Sequence, residues 1–324
     1  MNACFNQKVE LISILQYLGK YKENCPTITN EKTEFTSLID NWFYEYKDHQ
    51  AVQLTYDMSN VGFNYHKPFG SVLNNYSKSR KLCLIDYLEY FQNNIPIYWS
   101  IEKYIKCVNN FYEDTKFGEF LYNSEKLYNK VLNGYSSLIN NLNVETALME
   151  YYGYKPQDYL LVFASIVCGN FGVEIIDRNI NYYCSVIGLN GSVDNDFLDS
   201  KYLHELVWHE YGHSYINKCT KNNPKVIELE YLFENVKENM CKNGNAYSSW
   251  ESCLSEHIVR AVTNRMVRKY FGEDEYLKNN KRDKDVGFWY IDKIENSLIK
   301  YENNRRTNNN FSDFFNALLE EMEA

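Results

Sequence analysis

The chain has 324 residues, of which 44% are hydrophobic and 24% charged, a composition typical of globular proteins. This length suits one large domain or two smaller ones. Its 34 basic and 43 acidic residues give a net charge of −9, and no dense block of Lys or Arg occurs, which argues against nucleic acid as the main partner. No run of residues approaches the roughly 18 apolar residues of a membrane span.

The cysteines and the N-terminal residues indicate the cellular compartment of the protein. Nine cysteines are scattered without a CxxC pair, which is typical of reduced thiols in a cytosolic-type compartment. The N-terminal stretch through Lys22 places Lys8 and Glu10 among apolar residues, so it predicts an amphipathic helix rather than a signal peptide. We therefore expect a cytoplasmic protein, although the mature form of an exported protein would carry the same pattern.

Residues 1–155 are predicted to be mostly helical. Apolar residues recur there at three- and four-residue spacing, in segments 34–47, 81–92, 97–112 and 119–132. The pattern changes near Lys155-Pro156. We expect a helical N-terminal region, 1–155, and a second region, 156–324, packed together as one unit.

The second region opens with strand-like segments. Dense apolar runs rich in β-branched and aromatic residues predict strands at 159–168, 173–177 and 181–189, with a turn at Gly169–Gly172. A helix is expected over about 200–219, with Asp199 or Ser200 as its N-cap. Further helices are expected at about 225–241, 249–271, 287–303 and 311–322.

The motif His209-Glu210-Tyr211-Gly212-His213, of the form HExxH, lies in the helix predicted over 200–219. Residues four apart on a helix are about 6 Å apart along its axis and only about 40° apart around it, so both histidines can bind one metal ion. The Glu210 carboxylate can then reach a water bound to that metal. A catalytic zinc site with three protein ligands and one open position fits this arrangement best.

A third ligand must come from elsewhere in the chain. His204 lies five residues before His209, about 140° around the helix and away from the metal-binding face. The longer pattern HExxHxxGxxH is also missing, because Cys219 occupies the position of its third histidine.

A glutamate on a following helix would complete a His2Glu site, and the helix predicted at 249–271 offers two. Ser248-Ser249-Trp250-Glu251 has the capping-box form S-x-x-E, which gives Glu251 a structural role at the helix start. Glu256 lies where the helix is apolar on nearly every side, which predicts burial. A buried carboxylate needs a metal or a partner such as Arg260, one turn later. Both glutamates stay candidates, and burial favours Glu256.

Two segments carry a resemblance to a known family. HEYGHS at 209–214 and EHIVRA at 256–261 resemble the gluzincin group of zinc metallopeptidases. More narrowly, the chain is similar to an uncharacterised bacterial domain family with an HE-aromatic-small-HS core and a downstream Glu-His-x-Val-Arg-Ala-like helix. Segments 48–63 and 169–172 extend the similarity, which spans about residues 48–271. The resemblance implies Zn²⁺ bound by His209, His213 and Glu256, with Glu210 as the catalytic base.

Further residues are candidates because they are close in sequence to the expected ligand. Metallopeptidases place a Tyr, His or Arg where negative charge develops on the substrate oxygen, and Tyr247 and His257 are candidates for that role. Arg260 is expected to orient Glu256. Gly212 costs a helix about 1 kcal/mol relative to Ala, so we expect a neighbouring backbone or helix to approach it closely.

These observations predict an α+β protein with a mainly helical, zincin-like fold and a small central β-sheet preceding the HExxH helix. The expected function is a zinc-dependent hydrolase, a metallopeptidase that acts on a peptide or protein substrate. Two alternatives remain. One is a binding or structural protein that keeps the metal site without turnover, and the other is a zinc hydrolase that cleaves a non-peptide amide.

Overall fold

A computed structural model of the protein describes residues 2–73, 101–140, 143–156, 158–177, 180–194, 198–245, 247–306 and 309–323. It is mainly helical with one small mixed sheet, which confirms the predicted α+β class. The helix predicted at 81–92 lies outside the described residues. No helix in the described ranges is both long and apolar enough to cross a membrane.

The described residues form fifteen α-helices and four strands. The helices before the second strand are α1 Gln7–Leu18, α2 Tyr21–Asn24, α3 Glu34–Phe43, α4 Gln50–Ser59, α5 His66–Leu73, α6 Ile101–Asp114, α7 Phe117–Ile139 and α8 Val144–Tyr152. The strands are β1 Asn2–Phe5, β2 Asp158–Ala164, β3 Asn170–Asp177 and β4 Ile180–Gly188. The remaining helices are α9 Ser200–Thr220, α10 Pro224–Glu228, α11 Phe233–Lys242, α12 Trp250–Phe271, α13 Glu273–Asp285, α14 Ile291–Asn303 and α15 Phe311–Glu323.

Contacts divide the chain into two compact units. The first comprises Met1–Leu142 and Pro156–Leu203, and the second comprises Asn143–Lys155 and His204–Ala324. The chain therefore passes between units at 155–156, where the sequence predicts a boundary, and also at 142–143 and 203–204. The predicted division into 1–155 and 156–324 packed as one unit stays a prediction.

The sheet of the first unit has the strand order β1-β2-β4-β3. β2 pairs in parallel with both β1 and β4, and β3 pairs antiparallel with β4. All residues of β2 after Asp158 are buried, as expected for a strand with parallel neighbours and both faces covered. The strand predicted at 159–168 is thus a central strand, but it ends earlier, at Ala164.

The N-terminal stretch differs from the prediction of an amphipathic helix. Asn2–Phe5 form β1, and α1 starts only at Gln7, with Asn6 as its N-cap. From Lys8 to Gln16 every residue of α1 is buried, so the helix is enclosed rather than amphipathic. Lys8 and Glu10, the two charges that suggested a polar face, are both inside.

The turn predicted at Gly169–Gly172 lies earlier in the chain than expected. β2 ends at Ala164 and β3 begins at Asn170, so the connection between them covers residues 165–169. At the end of β4 the chain passes so close to this turn that a Cβ on Gly188 would lie 2.4 Å from the carbonyl oxygen of Val167. Gly188 is therefore required by the close backbone approach.

The buried Glu10 carboxylate lies in the first unit and gives a testable pH dependence. It accepts hydrogen bonds from the Ser165 amide, the Ser165 hydroxyl and the Tyr128 hydroxyl. Burial raises the pKa of Glu10 above its usual value of 4.5, and these hydrogen bonds oppose the rise without cancelling it. The folded protein therefore holds the proton more tightly than the unfolded chain.

We expect the free energy of unfolding to fall as the pH rises from the unfolded-state pKa of Glu10 through its raised folded-state value. Within this window the contribution of Glu10 changes by at most about 1.4 kcal/mol per pH unit. Urea titrations between pH 4 and 8 should show the slope reduced in Glu10→Gln, with the exposed Glu125→Gln as the control. An identical slope in the wild type and Glu10→Gln would contradict this account.

In the second unit the long helix α12 is buried along most of its length and packs against α13 and α14. This confirms that the helix predicted at 249–271 is buried. The helix predicted at 287–303 begins later, at Ile291, and the one predicted at 225–241 is divided into α10, a 3₁₀ turn and α11. α13 was not predicted, because its sequence is strongly polar and lacks an apolar stripe.

Candidate metal centre

The two histidines of the motif project from one face of α9 within the second unit. α9 spans Ser200–Thr220, close to the predicted 200–219, and the Asp199 carboxylate caps it by accepting from the Tyr202 amide at 2.9 Å. The ring centroids of His209 and His213 are 4.9 Å apart. Their side chains are 16% and 20% exposed, so solvent and a ligand can reach both.

Glu256 of α12 reaches both histidines. His209 Nε2 lies 3.4 Å from Glu256 Oε1, and His213 Nε2 lies 3.3 Å from Glu256 Oε2. The structure thus brings together the two histidines and the glutamate that the sequence selects on grounds of burial, as one group with ligand atoms close enough to share an ion.

These separations fit a small tetrahedral cation. Zinc binds imidazole nitrogen and carboxylate oxygen at about 2.0–2.2 Å, so two of its ligands in a tetrahedron are about 3.3–3.5 Å apart. The observed nitrogen–oxygen distances of 3.4 and 3.3 Å, one to each oxygen of Glu256, are close to that edge, and the three ligand atoms all lie within 4.8 Å of one another. Two imidazoles and one carboxylate are also the donor set of His2Glu catalytic zinc sites.

Gly212 permits the close approach of α9 to its neighbours, as its position within a helix predicts. A Cβ at Gly212 would lie 3.2 Å from Val259 Cγ1 of α12 and 3.1 Å from the Tyr152 hydroxyl. Both distances are tighter than ordinary carbon contacts. The absence of a side chain at 212 therefore helps to bring α9 within reach of Glu256.

Arg260 connects Glu256 to Asp283 of α13 through two ionic contacts. Arg260 Nε donates to Glu256 Oε1 at 2.8 Å, and Arg260 Nη1 donates to Asp283 Oδ1 at 2.7 Å. Asn264 donates to the other oxygen of Asp283, whose side chain is 1% exposed. The Arg260 guanidinium also lies over the Phe288 ring, 4.2 Å from its centroid. Arg260 is thus held on several sides and contacts Glu256, and its role in orienting that carboxylate stays a prediction.

The electrostatics of the group favour an ionised carboxylate. Burial alone would raise the pKa of Glu256, but Arg260 and the two histidines outweigh it and hold that pKa well below 4.5. Burial lowers the pKa of His213, yet the hydrogen bond to Glu256 and the charges of Glu256 and Glu210 raise it overall. Arg260 also pairs with Asp283, so its positive charge neutralises the negative charge of Glu256 and Glu210 only in part. The negative charge that remains beside the histidines favours binding of a cation.

Glu251, the other candidate ligand, lies away from this group. Its carboxylate accepts a hydrogen bond from the backbone amide of Asn222 at 3.1 Å. The predicted capping box is wrong by one residue, because Ser249 rather than Ser248 caps α12, accepting from the Ser252 amide. Glu251 has a structural role, but its partner is the turn after α9.

His204 and Cys219 do not lie with His209 and His213, and for His204 the helix geometry predicts this. The His204 ring is buried against Trp208 and Phe271. Cys219 lies near the Ser312 hydroxyl, with 3.6 Å between sulfur and oxygen. Neither belongs to the group formed by His209, His213 and Glu256.

Tyr247 lies near the carboxylate of Glu256. Burial and the charge of Glu256 raise the pKa of the Tyr247 phenol, while Arg260 opposes this shift. The ring is half-buried and packs edge-on against Phe288. The phenol therefore stays protonated at neutral pH and keeps a proton to donate, as a stabiliser of negative charge requires.

His257 is in the core, although the role for which it is a candidate requires contact with a substrate. Its side chain is 0% exposed, and Nδ1 lies 2.8 Å from the carbonyl oxygen of Cys253. Burial lowers the pKa of His257 to about 4, so the ring is neutral at neutral pH. Its edges contact Phe288 and Tyr290 rather than solvent. The structure gives no support to direct contact between His257 and a substrate.

Comparison with known proteins gives a family without an assigned activity. The family described as "Domain of unknown function (DUF4932)" matches residues 2–320, nearly the whole chain. The chain belongs to the DUF4932 family. No curated protein and no solved structure matches it. The family's description names no reaction, so the gluzincin resemblance and the zinc chemistry of this DUF4932 protein stay predictions.

Asp283 is the residue of this DUF4932 site that sequence reasoning missed, because its helix was missed. One signal was available: α13 carries Glu273, Asp274 and Glu275 in its first turn and Arg282 and Lys284 in its last. This distribution complements the helix dipole and is typical of a helix even without an apolar stripe. Gly272, with a positive φ of 94°, separates it from α12.

Replacing Asp283 with Asn should weaken metal binding without removing a ligand. The change removes the negative charge that Asp283 places beside Arg260. Arg260 then interacts more strongly with the Glu256 carboxylate and competes with a metal for it. Loss of an outer-shell partner typically costs about 10–100-fold in metal affinity, and we expect that range for zinc, measured by competition with a fluorescent chelator. Asp285→Asn, on the exposed side of the same helix, is the control. Equal affinities in the two variants would show that Asp283 does not position the site.

Proposed function

We propose that this chain is a zinc-dependent hydrolase, and specifically a metallopeptidase. The observation that supports it most directly is the position of Glu256, whose two oxygens lie 3.4 and 3.3 Å from the Nε2 atoms of the HExxH histidines. A sequence motif supplies two ligands and a base, and a glutamate 43 positions after His213 lies where the third ligand is needed.

His209, His213 and Glu256 would hold the metal, with Arg260 and Asp283 fixing the carboxylate. Zinc bound there would supply a water with a pKa near 7 and would polarise a substrate carbonyl. The low pKa of Glu256 suits the role of ligand, because a ligating carboxylate must be deprotonated. The partial exposure of both histidines leaves room for water and substrate.

Glu210 is the proposed general base. It follows His209 directly on α9, so its side chain projects about 100° around the helix from the first histidine. Its charge is close enough to His213 to raise the pKa of that ring, which supports a position beside the metal-binding group. Glu210 would take the proton of the attacking water and deliver it to the leaving amine.

Tyr247 is the proposed stabiliser of the negative charge that develops on the substrate carbonyl oxygen. Its protonated phenol can donate a hydrogen bond, and it lies within electrostatic reach of Glu256 and Arg260. Tyr247→Phe removes the donor alone and keeps the packing against Phe288.

Metal content and turnover of a mixed peptide library test the proposal together. We expect about one zinc per chain by mass spectrometry and cleavage that a chelator abolishes and added zinc restores. Zinc retained without cleavage of the peptides would instead favour a protein that binds a metal or a partner without turnover. Cleavage of acylated amines but not of peptides would favour a non-peptide amidase.

A further inference from the structure

A cavity lies within the second unit, formed by α8, α12, α14 and the residue Arg305. Its volume is about 410 Å³, within the range of small-molecule sites. Its lining is strongly charged and includes two tyrosines: Glu150, Tyr151, Arg265, Arg268, Lys269, Tyr301, Glu302 and Arg305. Four basic and two acidic side chains give the cavity a formal charge of +2, although the whole chain carries −9.

The cavity is separate from the candidate metal centre. Arg265 follows Glu256 by nine positions on α12, which places it about 13.5 Å along the axis and half a turn around the helix. The two groups of residues therefore lie on opposite faces of α12, and no residue belongs to both.

Arg265 carries a donor that the described residues leave unused. Its Nε and Nη2 donate to the two oxygens of Glu302, as in a bidentate ion pair. Its Nη1 is fully buried and has no hydrogen-bond acceptor in the described part of the protein. Burying a charged donor without an acceptor is costly, so this atom is a position where an acceptor from a ligand would be favoured.

The other cations of the cavity are arranged to leave donors available. Arg305 is anchored by hydrogen bonds to the carbonyl oxygens of Tyr151 and Glu150, and its guanidinium lies over the Tyr301 ring. Arg268 uses Nε for Glu273, which leaves its terminal nitrogens. Lys269 pairs with Glu150 only at 3.8 Å, and both of these side chains are more than half exposed. Exposed ion pairs contribute little stability, so an anion that enters the cavity can replace Glu150 as the partner of Lys269.

We infer from this geometry that the cavity binds a small oxyanion, a molecule carrying a phosphate or carboxylate group. The anion accepts from the free ends of Arg268 and Lys269 and lies beside the guanidinium of Arg265, whose charge it offsets, while Tyr151 and Tyr301 border the remainder of the ligand. Arginine suits this role because its planar donors match the oxygens of both groups. The site does not depend on the metal centre or on hydrolase activity.

Calorimetric titration of the full chain, freed of metal by a chelator, tests the inference. Inorganic phosphate and succinate are the probes, each at constant ionic strength set by sodium chloride. We expect binding of one molecule per chain by at least one probe. Binding of phosphate alone identifies a phosphate site, and binding of succinate alone identifies a carboxylate site.

Two double variants assign the binding to the cavity. Arg268→Gln with Lys269→Gln should weaken it by about tenfold or more, because two charge-assisted hydrogen bonds are lost. Lys221→Gln with Lys281→Gln removes the same charge from exposed positions and should change the affinity by less than about twofold. Arg265→Lys keeps the charge but loses the planar fork and should also weaken binding.

Three results would overturn the inference. The first is that neither probe binds better than chloride. The second is that Lys221→Gln with Lys281→Gln weakens binding as much as Arg268→Gln with Lys269→Gln. The third is that His209→Ala abolishes binding. The last result would place the anion at the metal centre, since His209 has no part in the cavity lining.

Discussion

Replacing Glu210 with Gln is expected to lower the rate of peptide cleavage by about 10²–10⁴-fold while zinc content stays at the wild-type level. Gln has the size of Glu, but it cannot accept the proton of the attacking water. The two metal-binding histidines and Glu256 are untouched. The combination of full metal content and lost turnover would exclude a ligand role for Glu210, because loss of a ligand would lower both.

Glu228→Gln is the matched control, the same chemical change at an exposed position of α10. It should cleave peptides at the wild-type rate. Initial rates on the same peptide library and zinc content by mass spectrometry should be measured on one preparation of each variant. Full activity in a metal-replete Glu210→Gln protein would refute the proposed mechanism.

Replacing Glu256 with Ala is expected to remove zinc binding, with a loss of affinity beyond the 10–100-fold typical of outer-shell substitutions. The fold should survive the change. Arg260 would lose one carboxylate but would keep its hydrogen bond to Asp283 and its contact with the Phe288 ring, so no guanidinium is left buried without a partner. Thermal unfolding followed by circular dichroism checks this separately from metal binding.

Glu251→Ala separates the two glutamates that the sequence offers. It removes a carboxylate from the same helix, but one that accepts from the Asn222 amide and does not approach the histidines. We expect zinc affinity within about twofold of the wild type, with at most a small loss of stability, since its partner is an exposed turn. Zinc loss in Glu251→Ala together with zinc retention in Glu256→Ala would reverse the assignment.

The group formed by His209, His213 and Glu256 shows how much of a site local sequence patterns can predict. The HExxH spacing places His209 and His213 on one helical face from geometry alone, and α9 has nearly the predicted bounds. Glu256 was favoured because its helix is apolar all round and a buried carboxylate needs a cation. Its partners are indeed the two histidines and Arg260. Burial was the decisive argument, since sequence distance gives no preference between Glu251 and Glu256.

The parts that could not be predicted depend on contacts distant in sequence. β1 pairs in parallel with β2, so Asn2 lies opposite Leu160, and no local pattern in four residues signals such a partner. The enclosure of α1 has the same origin: its two charges looked like a polar face, although Glu10 contacts Ser165 and Tyr128 far along the chain.

Two errors near the site have different origins, one in the direction of a side chain and one in a helix that the sequence does not reveal. His257 is next to Glu256 in sequence, about 100° around the helix, and that angle turns it toward Phe288 and the core instead of the open side. Asp283 was missed because α13 lacks apolar periodicity. Its buried residues are polar, namely Asn279, Asn280 and Asp283, so the face toward the core cannot be recognised from hydrophobicity.

Diffraction at the zinc absorption edge tests the central claim most directly. Crystals of the full chain grown with one equivalent of zinc should show an anomalous peak about 2.0–2.2 Å from His209 Nε2, His213 Nε2 and one oxygen of Glu256. A fourth position should be open to solvent. A zinc peak bound by other residues, or no peak while Arg260 and both histidines still hold Glu256, would contradict the account.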